Sequence, residues 1–184
     1  GLPFLEALRQ LALEVGHNNV LFVHLTLVPY LRAAAELKTK PTQQSVAKLR
    51  EIGIQPNILI CRSEKPLDLD LRKKLSLFCN VPLPCVIEEL DVKHSIYELP
   101  WRLHQEKLDS LVLEQLGLPL RAPAMDFWQN FLACIRHPKF ETRIAIVGKY
   151  TEVKDAYKSI CEAFVHSGVA NQCRVETVFI ESEQ

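Results

Sequence analysis

Short, almost wholly apolar runs at residues 20–28, 58–61 and 85–87 alternate with stretches whose apolar residues recur at helical spacing. This alternation confines the chain to the α/β class, with a mostly parallel sheet. The first run, closed by Pro29, is nearly continuous and β-branched, the habit of a strand covered on both faces. Helices are predicted over residues 2–15, stopped by Gly16, over about 41–52, and over 69–78. The second is expected to bury Val46, Leu49 and Ile52 before Gly53, and the third Leu71, Leu75 and Phe78. Helical material over residues 96–120 is followed by a boundary at Pro119 and Pro123, then by a helix carrying Phe127, Trp128, Phe131 and Ile135. Residues 143–148, a helix from about 154 to 166, and residues 174–180 form one β-α-β unit, too small to bury its own sheet. That unit reads as the opening of a second domain.

Twenty-two Lys and Arg balance 22 Asp and Glu over 184 residues, so no net excess charge points to nucleic acid or to an anionic membrane. No apolar stretch approaches the roughly 18 residues of a membrane span. The first residues lack a signal-peptide pattern, and the only methionine is Met125, so the chain is expected to be an internal piece or a processed product. Six cysteines without a CxxC pair fit buried, reduced thiols of a cytoplasmic protein.

Most catalytic templates fail. Gly148-Lys149 follows a strand, but a phosphate loop GxxxxGK[ST] would need glycine at Arg143 and Ser or Thr at Tyr150, which leaves a strand-end turn. HExxH, GxSxG and GxGxxG are absent, and no histidine stands at metal-ligand spacing from another histidine or cysteine. Glu88, Glu89 and Asp91 follow a strand; they read either as a solvated loop or as acids touching a ribose or an adenine edge at the carboxyl end of a sheet.

The sharpest local signal is Lys38-Thr39-Lys40-Pro41-Thr42-Gln43 before a helix. Pro41 suits the first turn, and Thr39 or Thr42 is able to cap exposed amides. Lysines beside a helix N-terminus oppose its dipole, which makes sense if an anion lies between them. A solvated turn with chance lysines explains the segment equally well. Arg72, Lys73 and Lys74 form a second basic cluster, either a wet helix face or a partner in closing over a triphosphate.

The ordered set Lys38 to Gln43, Ile52-Gly-Ile-Gln-Pro56, Ile58-Leu-Ile-Cys-Arg62, Leu77-Phe-Cys-Asn-Val81, Asp91-Val92 and Ser95-Ile-Tyr97 closely resembles CTP synthase. Leu2-Pro-Phe-Leu-Glu-Ala7, Val147-Gly-Lys-Tyr150 and Asp155-Ala-Tyr-Lys158 fit the same family in the same order, so the likeness covers essentially the whole chain. The resemblance implies an enzyme that makes CTP from UTP. A synthetase domain of P-loop type phosphorylates the uracil 4-oxygen with Mg2+ and ATP, and ammonia displaces the phosphate. The ammonia comes from glutamine in a class I amidotransferase domain. By the resemblance, residues 1–120 are the C-terminal part of the synthetase domain, 121–142 a linker, and 143–184 the start of the amidotransferase domain.

Carried over by position, Lys38, Thr39, Lys40, Pro41, Thr42 and Gln43 resemble the segment gripping UTP and the inhibitor CTP, and Lys74 the lysine reaching the UTP triphosphate. Leu90, Asp91 and Val92 resemble the loop on the ATP adenine side, with Leu90 departing from the lysine of some members. The phosphate loop, the Mg2+ ligands and the amidotransferase nucleophile are expected outside these residues; Cys161 and Cys173 lack the nucleophile's setting. The resemblance therefore implies a part of a homotetrameric, cytoplasmic ligase that makes no CTP by itself. The alternative is a truncated, non-catalytic homologue that binds UTP or CTP or associates with a full-length synthase.

Overall fold

A computed structural model describes residues 1–92 and 95–183, with Lys154 described by its backbone alone. The chain divides into two compact units, Gly1–Pro123 and Ala124–Gln184.

The first unit is built on three parallel strands in the order β1 (Val23–Leu27), β4 (Ile58–Ser63), β5 (Val86–Leu90). A two-residue pairing of β2 (Tyr30–Leu31) with β3 (Glu36–Leu37) interrupts the first crossover. Helix α1 (Leu2–Val15) precedes the sheet, α2 (Lys40–Glu51) and α3 (Leu69–Cys79) connect its strands, and α4 (Leu99–Gln105) and α5 (Leu108–Gln115) follow it. Helices α2 and α3 pack against each other, and their buried residues Val46, Leu75 and Cys79 join Val28, Leu59, Cys61 and Val86 in one core cluster. Each large aliphatic side chain fully withdrawn from water there contributes about 1.5–3 kcal/mol. The α/β class and parallel pairing follow the strand-helix alternation of the sequence.

Several details differ from the sequence expectations. Strand β1 is an edge strand with one open face: Val23, Leu25 and Leu27 are exposed, while Thr26 between them is buried. No element of the described residues pairs with the outer edge of β1 or covers this face. In α3 the inward stripe continues from Leu71 and Leu75 to Cys79, and Phe78, one position out of phase, is 56% exposed. Leu49 and Ile52 are only half-buried. The helical material expected over residues 96–120 is present as α4 and α5, which Lys107 separates by adopting a left-handed conformation (φ 62°). Gly53 ends α2 as expected; its φ of 91° favours glycine, and a Cβ there would stand 2.9 Å from the Arg9 side chain, which would have to shift.

The second unit contains α6 (Asp126–Arg136), β6 (Phe140–Gly148), α7 (Lys158–Ala170) and β7 (Cys173–Glu181). β6 and β7 pair in parallel along their whole length, which is the β-α-β unit read from the sequence. Helix α6 takes up half of residues 121–142, buries Phe131 and Leu132, and packs on α7, with the Phe131 and His166 rings 5.4 Å apart.

All six cysteines are free, and Cys61, Cys79 and Cys85 are buried. Burial pushes the Cys61 thiol up to about 12 and the Cys79 thiol to about 11, so both are inert at neutral pH. No helix of the described residues is long and apolar enough to cross a membrane.

Candidate functional site

Parallel strands deliver their carboxyl ends to one side of the first unit, and the segments singled out from the sequence lie there. Strand β1 ends at Leu27; the Val28 amide donates to the Arg62 carbonyl at 2.8 Å, and the Lys38 amide donates to the Pro29 carbonyl at 2.9 Å. The β2–β3 pair thus returns the chain to the sheet end, where α2 starts at Lys40.

Residues 38–43 divide into inward and outward groups. The Thr42 side chain is fully buried; its hydroxyl donates to the Leu27 carbonyl at 3.0 Å and accepts from the Thr26 hydroxyl at 3.1 Å. Thr39 is also buried, and its hydroxyl accepts from Gln43 Nε2 at 3.0 Å. Thr39 stands at the N-cap position, but neither threonine side chain makes the expected cap bond, because both hydroxyls serve these tertiary and local bonds instead. No side chain caps the first turn of α2, which leaves the Lys40 and Thr42 amides without a side-chain acceptor, while Pro41 has no amide hydrogen and the Gln43 amide donates to the Thr39 carbonyl. Lys40 and Pro41 are exposed, and the Lys38 ammonium is paired with the Glu36 carboxylate. Glu36 was not singled out from the sequence, although strand alternation places positions 36 and 38 on one side.

Glu88 and Glu89 lie within β5, and Asp91 follows directly after it, rather than in a solvated loop. Glu88 accepts from the Leu67 amide and stands 3.9 Å from Arg72, while Glu89 is 9% exposed. Burial pushes the Glu89 carboxyl above its ordinary value; Asp91 adds to this, and the charges of Arg62 and Arg102 oppose it. Asp91 donates its amide to the Ser63 carbonyl at 2.9 Å, continuing the ladder past β5, and its carboxylate accepts from Arg62 Nε at 2.8 Å. The Leu90 carbonyl accepts from Arg102 at 3.1 Å, and Val92 is half-buried. Arg62 is the residue the sequence reading missed here; its position at the end of β4, in register with Glu89, was the available signal.

The second basic cluster separates. Arg72 is bound to Glu106 at 2.7 and 3.2 Å and holds α3 to the α4–α5 segment. Lys73 pairs with Asp70 at 3.7 Å, and Lys74 is exposed. Among the described residues no hydrogen bond or ion pair joins Lys74 to residues 38–43. Residues 38–43 and 90–92 therefore share the carboxyl end of one sheet, whereas Lys74 lies on the helix beside it. Crevices at such ends are where open parallel sheets take ligands.

The description CTP synthase N-terminus matches residues 1–118. This chain belongs to the CTP synthase family. CTP synthase of Pelagibacter ubique is 55% identical over 184 residues, all of this chain and 34% of that protein. Those of Trichlorobacter lovleyi and Methanocaldococcus jannaschii are 50% identical over 184 residues and 52% over 183, with the same coverage. The chain spans about a third of the length of these CTP synthases. Among the described residues no group of three or more His, Cys, Asp or Glu is arranged to hold a metal ion.

Proposed function

We propose that this chain is the nucleotide-gripping part of a CTP synthase, an enzyme that converts UTP to CTP with ATP and glutamine-derived ammonia. Residues 38–43 hold the triphosphate of UTP, or of CTP as inhibitor: Lys38 and Lys40 supply charge, and the uncapped first turn of α2 supplies amides. Thr42 and Thr39 fix that turn from inside, so their contact with a nucleotide is through the backbone. Lys74 reaches toward the phosphates, and Leu90, Asp91 and Val92 face the adenine side of ATP. Residues 1–120 belong to the synthetase domain, 121–142 to a connection, and 143–184 to the start of a glutamine amidotransferase domain. Magnesium enters with ATP and finds its ligands on other residues.

The observation that carries this reading is the family's six-residue segment at an uncapped helix start, anchored by a buried Thr42 at the carboxyl end of a parallel sheet. The open edge and exposed apolar face of β1, with Leu2, Phe4, Leu8 and Leu11 exposed on α1, support packing against further chain and assembly into a homotetramer. The 184 residues alone make no CTP.

Calorimetric titration of UTP into wild type and the K38A/K40A variant tests the site. Loss of two charge-assisted contacts is expected to weaken binding at least about tenfold, or 1.4 kcal/mol. Equal UTP affinity in the two proteins would reject the assignment of residues 38–43.

A further inference from the structure

The three lysines of the proposed phosphate site are not equivalent. Lys40 and Lys74 make no ion pair among the described residues, whereas Lys38 is held by Glu36. The pairing follows from backbone that no ligand is needed to fix. Glu36 is in register with Leu31 across the β2–β3 pair, Leu37 is in register with Tyr30, and the Lys38 amide is bonded to the Pro29 carbonyl. One residue of strand separates the two side chains, so both project to the same side and meet.

Resting on the reading of residues 38–43 as a triphosphate grip, we propose that Glu36 is the resident counter-ion of Lys38 and sets the affinity of that grip for polyphosphates. A phosphate that touches Lys38 must displace this carboxylate or lie within a few ångströms of it. Either way part of the lysine's attraction is already spent, and a like charge remains beside the ligand. Both side chains are about half exposed, at 41% for Lys38 and 51% for Glu36, so water and salt moderate the effect without removing it. A carboxylate in this position keeps a strongly charged ligand exchangeable, as a site occupied in turn by substrate and inhibitor requires.

The test is calorimetric titration of UTP and UMP into wild type, E36Q, E36K and K38A at low and high salt. E36Q is expected to bind UTP about threefold to tenfold more tightly than wild type at low salt. E36K should bind more tightly again, and both gains should be smaller for UMP and should shrink with added salt. That order follows charge, and a merely structural role for Glu36 would not produce it. Unchanged or weaker UTP binding by E36Q and E36K, with K38A still weakened, overturns the role of Glu36 and leaves the site standing. No change in any of the three variants, or no UTP binding by wild type, overturns both.

Discussion

The Thr26 hydroxyl donates to the Thr42 hydroxyl at 3.1 Å inside the core, and Thr42 passes the bond on to the Leu27 carbonyl at 3.0 Å. This chain of bonds ties the first turn of α2 to the end of β1, so Lys38 and Lys40, just before Thr42, inherit the position of the sheet. Replacing Thr42 by valine keeps the shape but leaves the buried Thr26 hydroxyl without its acceptor and the Leu27 carbonyl without its donor. A loss of about 1–3 kcal/mol is expected in urea unfolding, with T42S recovering most of it. A T42V protein as stable as wild type would show that these bonds do not hold the turn.

How far the sequence revealed this arrangement depends on the kind of information involved. Apolar spacing and glycine stops were enough for α1, α2, α3, the parallel strands and the β-α-β unit, because periodicity is a local property. The β2–β3 pair escaped notice, since Tyr30-Leu31 and Glu36-Leu37 are two residues each and no glycine marks the turn between them. The site segment was visible as a motif, but which of its side chains face inward was not. The burial of Thr42 depends on Thr26 and Leu27, and the engagement of Lys38 on a short strand. Likewise Arg72 looked like one of three surface cations. Its role appeared only when Glu106, far along the chain, was found beside it.

The Arg72–Glu106 pair gives a pH-dependent prediction. Burial pushes the Glu106 carboxyl up, but the Arg72 hydrogen bond, the Glu88 amide and the Arg72 charge outweigh it and hold the carboxyl below its ordinary 4.5. A carboxyl whose folded value is depressed stabilises the fold above its unfolded value, and that stability is lost as pH falls through the folded value. Wild type should therefore lose part of its stability on acidification below about pH 4.5, and E106Q should lose less over the same window while starting about 1–3 kcal/mol less stable at pH 7. Denaturant unfolding of both proteins at pH 7, 5, 4 and 3 reads this. Parallel stability curves would remove Glu106 as a contributor.

At the turn between β2 and β3, Ala35 adopts a φ of 51°, where a Cβ crowds the following carbonyl. Glycine relieves that contact and loses some unfolded-state restriction, so A35G is expected to be more stable by about 0.5–1 kcal/mol. Thermal unfolding monitored by circular dichroism checks it, and a lower midpoint than wild type would contradict the strain argument.

The turn after β6 supplies a prediction for the second unit. A Cβ on Gly148 would stand 2.1 Å from the Tyr157 hydroxyl oxygen, which itself donates to the Lys149 carbonyl at 2.6 Å. The G148A variant must therefore push the ring away, breaking that bond and disturbing the packing of Tyr157 on Phe179, whose ring centroids are 5.7 Å apart. A cost of about 1–3 kcal/mol is expected from the forced displacement. Removing the hydroxyl with Y157F takes away the nearest atom of the clash, so the double variant G148A/Y157F should be more stable than the two single effects add up to. Coupling of at least about 0.5 kcal/mol in this double-mutant cycle is the expected result, because residues in contact depart from additivity by that much or more. Strict additivity would show that alanine at position 148 is accommodated without moving Tyr157.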